Sequence, residues 1–533
     1  MTIVQPQRPN DQPGGGDEPP QAPVEIELKL SAAAADLDRL RRAETLARLS
    51  TGPAATKALT SFYYDTPDGA LLRRGATLRV RRIGHRFVQT LKTERSGDGL
   101  ARGEWEVALP AMSPAVDAFT DADALALLDG IPAGALSHIF TSRIQRETRM
   151  LALPDAVIEC AIDTGTIEAR DAREAVSEVE LELKQGRPAA LYRLALTLLD
   201  EVPLRVSEVT KAERGHRLLT RRPPGVVYDP KTPLLPGMTV DEAIATIVNR
   251  CLRHWTANEA AAEDGGDPGG VHQMRVALRR LRSALALFRK TVPSPTLDWL
   301  REEAKWLAGS LGAARDWDVF LSSVVEPLDS LRPDDPGIAA LREAASAQRD
   351  AGYAAVRRAL ADPRCARLHL TLGEWLERRG WRDHASTATL TALVEPIDAL
   401  AGRLIGKAHR KVLRLGREME RLDAPQRHEV RIALKRLRYA MDFFRPLYPE
   451  KRAKPYTAQL SRLQDAFGHL NDVATAEGLL ARLADGSANP DLHRAAGLVL
   501  GWHARGGQDS EPELLAQWDA FRAARPFWTD AKS

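Results

Sequence analysis

From residue 24 to residue 30 the chain changes character at every step. In an extended strand, Glu25, Glu27 and Lys29 fall on one face and Val24, Ile26, Leu28 and Leu30 on the other. The same one-sided alternation returns in LTSFYYD (59–65), TLRVR (77–81), FVQTLK (87–92), GEWEVAL (103–109), the stretch holding Arg143 and Arg146, AVIECAID (156–163) and SEVELELK (177–184). Two stretches read as helices instead: residues 32–49, with Ser31 as N-cap, and a helix opened by Pro188 and ending near Asp200. About eight strands, each with one charged face and with both signs mixed across the set, predict a closed antiparallel barrel with a polar lumen. Its apolar outer faces would be covered by the two helices.

The period changes after residue 236. TRRPPGVVYDPKTPLLP (220–236) has no periodicity and reads as a linker, so each half is expected to fold alone. From Gly237 to about Phe527 the pattern is helical, and it contains a repeat. HQMRVALRRLRSALALF (272–288) matches HEVRIALKRLRYAMDFF (428–444) at nine of seventeen positions, and LGAARD (311–316) matches FGHLND (467–472) at the same offset of 156 residues. Equal offsets across both blocks indicate a duplicated helical unit. The expected fold class is therefore α+β: an N-terminal eight-stranded antiparallel β-barrel, then an all-α duplicated bundle. The expected limits are a disordered tail (1–22), the barrel (23–221), the linker (222–235) and the helical domain (236–528, with repeats at about 236–390 and 391–528).

Composition narrows the options. Net charge is only +3, so a basic site must be local. Three cysteines without a CxxC pair speak against a disulfide framework or a cysteine zinc site. No apolar run is long enough to span a membrane, and the Pro-, Gly- and acid-rich start lacks the form of a secretory signal. The expectation is a cytoplasmic protein with no membrane partner.

Charge placement suggests chemistry. Arg and Lys lining a lumen suit a polyanion such as a phosphate chain, and clustered carboxylates suit a hard divalent cation, Mg²⁺ being the natural partner of phosphates. In the helical half, His272, Arg275, Arg279 and Arg282 share one side of their helix, and His428, Arg431, Lys435 and Arg438 form the equivalent stripe. Brought together, the stripes would make a cationic groove for a polyanion. No aromatic residues interleave with them for base stacking, which speaks against nucleic acid.

The ordered set EIELKL, FYYDTPDGALLRRGATLRVRR, TLK, GEWE, IECAID, SEVELELK and SEVTKAERG resembles the CYTH superfamily of triphosphate tunnel metalloenzymes over about residues 24–221. The two copies of HxxRxALxRLR resemble the CHAD family over about residues 236–528. The first resemblance implies Glu25 and Glu27 as metal ligands, with Asp163, Glu180 and Glu182 as the acidic set on the far wall. The register of that set is open, because Glu178 shares its face. It implies Lys29, Arg79, Arg81, Lys92 and Lys211 as phosphate grips, together with one of Arg143 and Arg146, Arg146 being the working choice. Glu104 and Glu106 would be acid–base or lumen partners, and the metal Mg²⁺ or Mn²⁺. The second resemblance implies binding of long-chain polyphosphate, with association to polyphosphate granules as an option. Together they lead to the expectation of an inorganic triphosphatase. The alternatives are an adenylate cyclase or other organic-triphosphate hydrolase on the same barrel, or a non-catalytic polyphosphate-binding protein. In FGHLND, Asn471 replaces the counterpart of Arg315, so the two repeats need not bind equally.

Overall fold

The computed structural model describes residues 24–93, 101–228, 234–383, 385–485, 487–509 and 511–529. The stretch read as a tail and residues 229–233 of the linker lie outside the described residues. The first half is built on β1 (Val24–Ser31), β2 (Ala55–Asp65), β3 (Ala76–Ile83), β4 (Arg86–Thr93), β5 (Ala101–Leu109), β6 (Ser137–Leu153), β7 (Ala156–Ala169), β8 (Ala172–Gln185) and β9 (Arg205–Val206). They form one antiparallel sheet in the order β5-β4-β3-β2-β6-β7-β8-β1-β9.

This corrects the expected closed eight-stranded barrel in two respects. The sheet has nine strands, because the two-residue β9 adds to the end of β1 at Leu30 and Ser31. It is also not continuously closed. β1 serves two neighbours in succession: Val24–Ile26 meet β5 over three residue pairs, and only from Glu27 onward does β1 pair with β8. The flanks of the sheet thus share a short seam rather than a full ladder.

The expected faces are present. Leu28, Leu30, Ile158, Cys160, Ile162, Val179 and Leu181 point outward into one apolar cluster, under the helix Ala189–Glu201. The helix expected over 32–49 is two, Ala34–Arg41 and Glu44–Leu49. The break has a local cause: the Glu201 carboxylate accepts the Glu44 and Thr45 backbone N–H groups at 2.8 and 3.1 Å and caps the second helix from outside. Ser31 ends β1 and caps nothing; the cap position is Ala33.

In the helical half the repeat is exact in its limits. Helices Pro268–Phe288 and Ala424–Phe444 have equal length and start and stop at equivalent positions. Their Phe288 and Phe444 rings meet edge to face, with centroids 6.3 Å apart. Beyond them the copies diverge. Pro295–Ser310 and Gly312–Phe320 are separate helices, whereas the second copy runs as one helix, Glu450–Asp485.

The two halves share a core. Ala366 and Leu370 of the helix Pro363–Glu377 belong to the same cluster as Leu191, Leu194 and Leu198. A Cβ added to Gly373 would lie 2.2 Å from Tyr192 Cε1, so only glycine lets these helices come so close. Arg205 forms a paired contact with Glu263 at 2.9 and 3.0 Å. The start of the linker is pinned as well: the Val227 carbonyl accepts from Asn258 Nδ2 at 2.9 Å and His254 Nε2 at 3.2 Å. The expectation of two halves independent of each other does not fit this packing. Among the described residues no helix is long and apolar enough to cross a membrane, and the three cysteines are buried and unpaired.

Candidate active site

The inner face of the sheet lines a cavity of about 1320 Å³. Strand parity selects its side chains. On β3, Arg79 and Arg81 face in while Leu78 and Val80 are buried on the outside. On β6, Arg146 faces in, whereas Arg143 lies on the opposite, exposed side and pairs with Glu168 at 3.1 Å. Of the two, Arg146 is the one that lines the cavity.

Two groups of charge face each other across the lumen. In one, Lys92 Nζ lies 2.8 Å from both Glu25 Oε2 and Glu104 Oε1, and Arg79 lies 3.6 Å from Glu104 and 4.0 Å from Glu106. Glu106 also accepts from the Thr90 hydroxyl at 2.9 Å. Burial raises the pKa of Glu104 against the opposing pull of Lys92. In the other group, Lys211 Nζ sits among three carboxylates, 2.8 Å from Asp163, 2.8 Å from Glu178 and 2.7 Å from Glu180. Arg146 clamps Asp163 at 2.7 and 2.6 Å and also bonds Glu180. Burial opposes ionisation of these acids, but Lys211 and its neighbouring cations hold all three below the usual carboxylate range. Lys29 is deeply buried, donating to the Val209 carbonyl at 3.0 Å with Glu178 3.8 Å away; burial lowers its pKa.

Arg81 differs from the rest. It donates to the Ser61 hydroxyl at 3.0 Å and forms no ion pair among the described residues. Burial, with Arg79 and Arg146 beside it, pulls its pKa down to about 10. The buried Nε of Arg79 also lacks a hydrogen-bond partner. Both guanidiniums line the cavity, and Ser61 is the acceptor for Arg81 among the described residues.

The carboxylates offer two sets to a divalent cation, and cations of the protein itself contact both. Asp163, Glu178 and Glu180 have oxygens within 4.8 Å of one another, but the Lys211 ammonium already holds the central position. The second set spans three strands: Glu27 is the register partner of Glu182, and Glu182 of Glu159, with Glu25 facing the same lumen. Like charges opposite one another are unfavourable without a counter-ion, and Lys92 at Glu25 and Lys184 at Glu182 supply two. Burial raises the Glu182 pKa, partly offset by Lys184, while Glu25 and Glu159 add to the rise. An all-oxygen, anionic donor set of this kind suits a hard cation such as Mg²⁺. Of the expected far-wall ligands, Asp163 and Glu180 are thus tied to Lys211 and Arg146, and Glu182 to Lys184.

In the helical half the first stripe is partly buried. Arg275 donates to the Ala308 carbonyl at 3.0 Å, and Arg279 Nε is buried without a partner. Burial, together with Arg315, Arg279 and Arg275, pulls the His272 pKa down to about 4. Arg282 has Glu302 among its charged neighbours. In the second stripe, His428 is exposed, Arg431 and Lys435 are half-buried, and Arg438 is engaged by Asp442 at 3.1 Å and by Ser461. The side chains of Asn471 and Asp472 lie outside those described.

Family models match both halves: a CYTH domain over residues 24–216 and a CHAD domain over residues 246–481. The chain joins a CYTH domain to a CHAD domain. An inorganic triphosphatase of Haemophilus influenzae is 29% identical over 194 residues, covering 36% of this chain and 54% of that protein. An uncharacterized protein of Mycobacterium tuberculosis is 30% identical over 298 residues, covering 52% of this chain and 55% of that protein. The chain thus spans about half the length of the curated relatives it matches. The CHAD domain crystal structure from the plant Ricinus communis is 33% identical, with a TM-score of 0.50, covering 56% of this chain and 98% of that one.

Sequence reasoning missed several residues of the CYTH lumen. Glu178 had been left out on register, yet it contacts Lys211 directly and also takes Arg214 at 2.6 Å. Its signal was present, because all of Glu178, Glu180 and Glu182 share one face. Arg214 had none: it sits on the helix Lys211–Thr220, where strand alternation does not apply. Tyr63 also lines the cavity beside Arg79 and Arg81, stacked on Phe140.

Proposed function

We propose that the CYTH domain hydrolyses inorganic triphosphate and that the CHAD domain binds longer polyphosphate through its basic stripes. The observation that carries the first part is Arg81, a buried cation with no ion pair among the described residues, beside Arg79, whose buried Nε has no hydrogen-bond partner. A buried charge without a partner is costly, and a phosphate chain supplies the missing acceptors. In this reading Arg79, Arg81, Lys92 and Lys29 hold the phosphate oxygens, while Arg146 and Lys211 keep the opposite wall positioned. A donor directed at charge developing in the transition state contributes on the order of 10²–10³ in turnover. Glu104, made more basic by burial, takes a proton from the attacking water as its oxygen bonds to the terminal phosphorus and the bridging P–O bond breaks, releasing diphosphate. A divalent ion held by Glu25, Glu27 and Glu182 would add charge neutralisation of the phosphates.

The test is phosphate release by the purified chain with Mg²⁺ or Mn²⁺ on tripolyphosphate, ATP, thiamine triphosphate and long-chain polyphosphate. Tripolyphosphate is expected to be turned over fastest. Release of cyclic AMP from ATP as the main reaction would replace this reading with a cyclase. No turnover of any triphosphate, with polyphosphate still bound, would make the tunnel a binding module.

A further inference from the structure

The cavity does not end at the sheet. Its wall continues into the CHAD domain, through the helices Val240–Thr256 and Pro363–Glu377 and the Val226–Val227 segment. The helix Lys211–Thr220 runs along this path. Lys211 lies in the lumen, and Arg217, six residues on and about 9 Å further along the axis, lines the extension. Two more cations reach the same space from the CHAD side, Arg253 and Arg379.

Two of these three cations are not used up by the protein, and Arg379 is used in part, its guanidinium 5.4 Å from the Trp381 ring centroid and beside Glu377. Arg217 and Arg253 make no side-chain hydrogen bond or ion pair among the described residues. Arg379 has a buried Nη1 without a partner. Its Nε is 3.8 Å from Asp241, but that carboxylate is already taken by Arg382 and Trp381 at 2.7–2.9 Å. Arg379 also occupies the left-handed region at φ +56°, where a helix end usually places glycine. Two nearby acids are engaged elsewhere, Glu213 accepting from the Thr210 backbone N–H and Glu208 from the Thr256 hydroxyl, while Glu377 lies beside Arg379. Aromatic side chains at this end are spent on packing, Tyr192 on Gly373 and His369 on Trp255. No stacking slot for a nucleobase is formed by them. The cavity volume of about 1320 Å³ exceeds the usual range for a small-ligand pocket, about 300–1,000 Å³.

We infer that Arg217, Arg253 and Arg379 form a second phosphate subsite, built jointly by the two domains, which receives the additional phosphates of a linear inorganic polyphosphate whose terminal three units occupy the tunnel. This rests on the triphosphatase reading of the tunnel. It makes the CHAD domain a contributor to chain-length preference at the active site itself, apart from its basic stripes.

The test compares kcat/KM for tripolyphosphate and linear tetrapolyphosphate, using the full-length chain, Mg²⁺, and the variants R253Q and R253Q/R379Q. Each lost charge-assisted contact is worth about tenfold. The ratio of kcat/KM for the tetramer to that for the trimer is expected to fall about tenfold in R253Q and further in the double variant, mainly through KM. R378Q, whose side chain pairs with Glu374 and Asp383 instead, serves as the control and is expected to keep the parent ratio. R253Q is informative even if Arg379 proves necessary for folding, because the Arg253 side chain has no partner to lose. An unchanged ratio in R253Q, with the parent hydrolysing tripolyphosphate, overturns the subsite and leaves the tunnel reading standing. A parent inactive on both chains overturns the tunnel reading and the subsite with it.

Discussion

Arg81 and Glu27 carry opposite burdens in the lumen, and single substitutions separate them. Arg81→Met removes a buried cation that has only a hydroxyl partner. Ligand-free thermal stability is therefore expected to stay level or rise, while the upward Tm shift caused by tripolyphosphate shrinks, as a thermal melt with and without ligand would show. Glu27→Gln keeps shape and removes charge from the set suited to a cation. Turnover at saturating Mg²⁺ is expected to drop at least about 100-fold, with the far-ultraviolet spectrum intact; near-parent turnover would reduce Glu27 to a structural lumen group. Much at this scale was readable in advance, because a period of two assigns Glu25, Glu27, Lys29, Arg79 and Arg81 to a face without further information. The face of Glu178 was readable in the same way but not its contact with Lys211, and the choice between Arg143 and Arg146 was not, because it depends on which face of their strand turns inward. Arg253 and Arg379 were further out of reach: their importance comes from a contact between domains that no local pattern encodes.

Among elements, the paired helices Pro268–Phe288 and Ala424–Phe444 were the clearest in the sequence, since duplication fixed their limits twice. The break at Glu44 was hidden because its cap comes from Glu201, far along the chain. The basic stripes give an expected outcome at this level. Reversing Arg275, Arg279, Arg431 and Lys435 to Glu should abolish polyphosphate binding with helical content retained, and the parent's binding should weaken steeply with salt as counterion release is lost. A titration at two salt concentrations decides both. The first helix also carries a pH response. His272 has a folded pKa near 4 against an ordinary value near 6.5, so the folded state resists protonation. Its contribution is complete above about pH 6.5 and is lost as the pH falls towards 4. His272→Gln should therefore flatten the fall of Tm over that window, measured by melts between pH 7 and pH 4.

For the whole molecule, the shared core outweighs the proline-rich connection. A chain ending near Thr220 would expose the Leu191, Leu194 and Leu198 face that Ala366 and Leu370 cover. It is expected to melt on the order of 5 °C below the CYTH unfolding step of the full chain, or to aggregate. Gly373→Ala tests the same contact with one methyl group. With Tyr192 only 2.2 Å from the added carbon, a loss of about 1–3 kcal/mol is expected by denaturant titration. The sequence suggested separable halves because composition reports the polarity of a connecting segment and not what packs on either side of it.

The position of Lys211 has a consequence for how the protein is made. Three acids on β7 and β8 depend on one ammonium that follows them in the chain, after every longer strand. Until residue 211 has been added, Asp163, Glu178 and Glu180 have Arg146 and Lys29 as their neighbouring cations, so this wall carries more acids than cations. Once Lys211 emerges, the wall reaches charge balance from the chain's own resources.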